Sequence, residues 1–64
     1  MDIGAATREV QKQRGITSAE LARKLKTSPQ NITHIRKTVN PRIDRVVKLA
    51  DVFEMSIDEF IGKG

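Results

Sequence analysis

Thr17 and Ser28 stand eleven residues apart, and each opens an apolar pattern of helical period: "TSAELARKL", then "TSPQNITHI". Thr17 and Glu20 have the T-x-x-E spacing of a capping box, in which each side chain satisfies a backbone N–H at a helix start. Ile16 and Leu21 fit the flanking hydrophobic staple. Leu21, Ala22 and Leu25 then form one face. Ser28 is a strong N-cap, and Pro29 suits the first helical turn because its missing N–H has no intrahelical partner there. Ile32 and Ile35 make a narrow buried stripe. Only Lys26 to Ser28 is left between the two helices, and a connection that short forces them to cross steeply. Ala22 sits where they meet, and its small side chain permits close approach.

The rest of the chain is also helical in pattern. Asp2 and Gly15 bracket a first helix over residues 3–14, whose inner face is thin: Ile3, Ala6 and Val10. Asn40-Pro41 marks a loop. A fourth helix over residues 43–53 follows, with Ile43, Val46, Val47, Ala50 and Phe53 inward and Leu49 widening that face. Ser56 and Glu59 make a second capping box before a short helix over residues 57–61, and Gly62 ends it. No window alternates like a strand. The reading is an all-α, compact five-helix domain spanning residues 1–64. A domain of this size buries only about 60% of its unfolded-chain surface.

The 64 residues carry a net charge of +4, distributed in blocks. Residues 1–22 hold three basic and three acidic side chains. Residues 23–48 hold eight basic against the single Asp44, a net of +7, and residues 49–64 hold one basic against four acidic, a net of −3. A basic middle suits a polyanion-binding face. With no cysteine and one histidine, the chain has neither a thiolate metal site nor the parts of a histidine-based catalytic set. Two Phe and no Trp or Tyr argue against single-strand binding by base stacking. No apolar run reaches the length of a membrane span, and no signal-peptide pattern is present, so a cytoplasmic protein is expected. No cofactor, membrane contact or small-molecule effector is expected, and no enzyme.

The outer side of the third helix carries amides, hydroxyls and an imidazole, groups that hydrogen-bond to base edges in a major groove. The sequence resembles the phage-repressor/Cro-type (XRE-like) helix-turn-helix family through "RGITSAELARKL", "TSPQNITHI", "NPRIDRVVKLADVF" and "MSIDEFI". The resemblance covers nearly the whole chain. It implies a repressor-like domain with helix-turn-helix about 17–37 and a recognition helix about 29–37. Three departures stand out. Lys26 replaces the usual Gly of the turn, where a left-handed non-Gly residue costs about 1 kcal/mol. The loop from Arg36 to Pro41 lacks the usual Gly and is one residue shorter. Thr7 takes the place of a large aliphatic.

Gln30, in the first turn of the exposed face, is the leading base-reading residue, since glutamine pairs in bidentate fashion with adenine. His34 lies four positions on, on the same face. Asn31 and Thr33 flank it, and Pro29 offers only apolar contact to a thymine methyl. Phosphate contacts are expected from the start of the second helix at Thr17 and Ser18, and from Arg36, Lys37, Asn40 and Arg42. The acidic, apolar-tipped end points to a weak homodimer joined through Phe60 and Ile61, reading a palindromic operator on double-stranded DNA. A rival reading is a protein-interaction module, antitoxin-like or adaptor, on the same scaffold.

Overall fold

The computed structural model describes residues 1–64 as five helices: α1 (Ile3–Arg14), α2 (Ser18–Leu25), α3 (Pro29–Ile35), α4 (Ile43–Val52) and α5 (Ile57–Ile61). Local chemistry sets most of their ends. Asp2 accepts from the Ala5 N–H at 2.9 Å and starts α1. Thr17 Oγ1 accepts from the Glu20 N–H at 3.1 Å, Ser28 Oγ from Asn31 at 3.3 Å and Ser56 Oγ from Glu59 at 3.1 Å. The reciprocal half of the Thr17–Glu20 box is not made. The Glu20 carboxylate accepts from the Thr17 hydroxyl instead, at 3.4 Å.

Three helices stop on a left-handed residue: Gly15 (φ 65°), Lys26 (φ 57°) and Glu54 (φ 55°). At each, the next residue's N–H reaches back five positions, from Ile16 to Gln11, Thr27 to Ala22 and Met55 to Ala50. That is the Schellman arrangement, and it satisfies carbonyls that a helix end otherwise leaves without a partner. Lys26 thus does adopt the conformation that glycine would take at lower cost.

α2 packs on α3 and α4, α5 packs on α4 and α1, and α1 also meets α3. One cluster of twelve buried apolar residues fills the centre, among them Ile3, Leu21, Ile32, Leu49, Phe53 and Phe60. Thr7 is fully buried within α1. Its hydroxyl donates to the Ile3 carbonyl at 2.8 Å, so the smaller side chain leaves no unpaired donor.

Three expectations need correction. α3 stops at Ile35 rather than near residue 37. Lys37 and Thr38 bond back only three positions, to His34 and Ile35, so the chain tightens and leaves the helix. Ile43 and Val47 do not face inward: they are 64% and 43% exposed. The buried line of α4 is Val46, Leu49, Ala50 and Phe53, because α4 meets α2 and α5 with that stripe and turns Ile43 and Val47 aside. Phe60 is not a surface for a second copy. It has no exposed area, and its ring lies tilted on Phe53 with centroids 5.7 Å apart. Ile61 is half-buried against the same core.

The start of α1 fixes the loop after α3. The Ile3 N–H donates to the Val39 carbonyl at 2.9 Å and the Gly4 N–H to the Thr38 carbonyl at 2.8 Å. These are N–H groups that α1 itself leaves free. Gly4 is required by proximity: a Cβ there would lie 2.6 Å from the Arg36 carbonyl oxygen.

Candidate nucleic-acid interface

α3 is anchored by Ile32 and Ile35, both buried, so its opposite side is presented to solvent. That side carries Pro29, Gln30, Thr33 and His34, all exposed, with Ser28 before them and Lys37 just beyond. At 100° per residue, Gln30 lies near the middle of the face, with Thr33 on one flank and His34 on the other. The Thr33 hydroxyl donates back to the Pro29 carbonyl at 3.2 Å, and its oxygen keeps acceptor capacity. Asn31 is set apart from this group. It is half-buried, and its amide donates to Thr27 Oγ1 at 2.8 Å across the α2–α3 turn.

Each flank of the face borders a basic depression. On the His34 side, a cleft of about 490 Å³ runs between α3 and α4, and Lys26, Arg42, Arg45 and Lys48 line it with the single carboxylate of Asp44. On the Thr33 side, a groove of about 400 Å³ is lined by Arg8, Thr33, Arg36 and Lys37. The Arg36 guanidinium also donates to the Ser18 hydroxyl at 3.3 Å, tying the end of α3 to the start of α2. Six of the eight cations of the basic block therefore fall into two patches with α3 between them, while Arg23 and Lys24 lie apart beside Glu20.

The residues singled out for phosphate contact divide accordingly. Arg42 belongs to the His34 side. Arg36, Lys37 and Ser18 belong to the Thr33 side. Thr17 is exposed at the start of α2, its oxygen engaged as the N-cap, and Asn40 is exposed in the loop. Four cations line the depressions without having been singled out for phosphate contact: Lys26, Arg45 and Lys48, which the sequence placed only within the basic block, and Arg8, which lay outside it. For Arg45 and Lys48 a signal existed, since they lie three apart on one side of α4. Arg8 gave none, because its neighbours in the groove are 25 or more positions away.

The helix-turn-helix family matches residues 8–60. The chain belongs to this family, in its XRE-type, Cro/repressor-like form. No curated protein and no solved structure gave a significant match. The matched span runs from Arg8 to Phe60 and takes in every residue that lines the two basic depressions. In this helix-turn-helix protein the motif itself is α2, the Lys26 turn and α3. The family is one of DNA-binding transcription regulators. No helix is long and apolar enough to cross a membrane.

Proposed function

We propose that the protein is a sequence-specific regulator of transcription, a repressor or Cro-like protein, that lays α3 in the major groove of double-stranded DNA. One observation carries the reading: a polar helix face, led by Gln30 and His34, lies between two basic depressions. A major groove about 12 Å wide accepts a helix and is bordered by a phosphate backbone on each side. A helix with cations on both flanks matches that layout. Gln30 reads a base edge and His34 and Thr33 assist it, while the flanking cations set register without reading sequence. The reading is non-enzymatic, needs no cofactor, and puts the protein in the cytoplasm, where its DNA partner lies.

The operator is proposed to be palindromic and read by two copies, with half-sites one helical turn apart. A single small module offers few contacts, whereas specific affinities of about 10⁻⁸ to 10⁻¹¹ M call for more interface. With Phe60 in the core, the apolar side chains left exposed on one side of α4, Ile43 and Val47, are the place for a second copy to meet the first. A weak pair that firms on DNA fits so small a patch.

Selection of bound sites from random duplex DNA, followed by affinity measured against salt, tests this reading. Binding should recover a two-fold-symmetric site, and log affinity should fall linearly with log salt, with a slope near −0.9 per phosphate neutralised. An interaction module would instead enrich no sequence and bind duplex DNA weakly or not at all, and that result would overturn the reading.

A further inference from the structure

The groove beside Thr33 contains a cation hidden by sequence order. Arg8 belongs to α1, in the charge-neutral first third of the chain. The fold carries it to the end of α3, where its Nη1 donates to the Arg36 carbonyl. Lys37 completes the wall, so the lining of Arg8, Thr33, Arg36 and Lys37 holds three cations and no carboxylate. The Ser18 hydroxyl adjoins it through Arg36.

A bland role is available to one of these charges, since a cation near a helix C-terminus offsets the partial negative charge of the last carbonyls. Three cations exceed that need. They also repel one another unless an anion lies among them. A guanidinium has five N–H donors in a fixed fork suited to two oxygens of one phosphate. The Arg36 carbonyl engages one Nη of Arg8, and the rest of this exposed head borders the groove.

Resting on the reading of α3 as the recognition helix, we infer that Arg8, Arg36 and Lys37 form a clamp for a phosphodiester of one DNA strand. The other strand lies across α3, beside Arg42. α1 is then part of the DNA interface, and each groove serves one backbone. The carbonyl bond to Arg36 directs the Arg8 head toward the groove, where the phosphate would lie.

The test uses the full chain and a duplex of about 20 base pairs, two helical turns, selected from a random pool by the native protein. Arg8→Gln should lower the salt slope by about one for each copy bound, and Arg8→Lys should keep it. Neutral methylphosphonate linkages placed one at a time should then weaken the native protein at positions on both strands. At those across α3 from the Arg42-sensitive linkages, Arg8→Gln should lose nothing further. If Arg8→Gln does not melt like the native protein, Lys37→Gln, whose side chain is exposed, carries the same expectation at the same linkages. An unchanged salt slope in the folded variant, or sensitive linkages confined to the Arg42 side, would overturn the clamp while leaving the DNA-binding reading intact. Native protein without salt-dependent duplex binding would overturn both.

Discussion

The Gly4 N–H and the Thr38 carbonyl meet at 2.8 Å, and this bond joins the first turn of α1 to the loop that leaves α3. Through it, a helix more than twenty residues back in sequence decides where the backbone of residues 36–39 runs, and with it the walls of the Arg8 groove. The approach leaves no room for a side chain, because a Cβ on Gly4 would stand 2.6 Å from one carbonyl oxygen and 2.9 Å from another. Both obstacles are backbone, so neither can rotate away.

Gly4→Ala is therefore expected to destabilise the fold. Alanine gains up to about 1 kcal/mol of helix propensity over glycine. Overpacking costs about 1–3 kcal/mol, and a clash with fixed backbone belongs at the upper end of that range. The net loss should be about 1–2 kcal/mol, which for a domain this small lowers the melting temperature by about 4–8 °C per kcal/mol. Thermal melting by circular dichroism measures it. A variant that melts at or above the native temperature would mean the loop retreats freely.

Gln30→Ala should weaken specific DNA binding by about 1–3 kcal/mol and relax the preference at one position of each half-site. The side chain is exposed and has no packing role, so stability should hold. Repeating the site selection with the variant gives the answer, and an unchanged preference would remove Gln30 from the reading face.

Arg42→Ala should act differently. It should lower affinity by a similar factor for every sequence and reduce the salt slope by about one for each copy bound. Arg42 is the residue before α4 and makes no side-chain cap, so its loss should not disturb that helix. A changed sequence preference with an unchanged salt slope would assign the His34-side cleft to base contact rather than to phosphate.

Phe60→Ala should unfold the protein rather than separate two copies. Truncating a fully buried phenylalanine costs about 3–5 kcal/mol, a large part of the 5–15 kcal/mol that holds a typical domain together. The loss should appear in melts at low protein concentration, where no dimer contributes. A native-like melt there, with only self-association lost, would place Phe60 at an interface after all.

The sequence by itself determined the helices and most of their ends. Asp2, Thr17, Ser28 and Ser56 act on N–H groups within four residues, and so do not depend on the rest of the chain. The exposed face of α3 was legible for the same reason: Ile32 and Ile35 bury one side, and the other must follow. The left-handed turn at Lys26 was expected only through the family resemblance, in which glycine usually holds that place. Tertiary structure decided what short-range patterns leave open. Ile43, Val46, Val47 and Ala50 are spaced as well for burial as Val46, Leu49, Ala50 and Phe53, and only the packing of α4 against α2 and α5 chose between them. Phe60 is as apolar in a core as at an interface, and Phe53 settled its place. The charge blocks showed a basic middle, but charge along a chain does not say which flank of α3 each cation takes. Folding split most of that middle across α3 and added Arg8 from α1, a placement set by hydrogen bonds to residues 36–39 that no local spacing encodes.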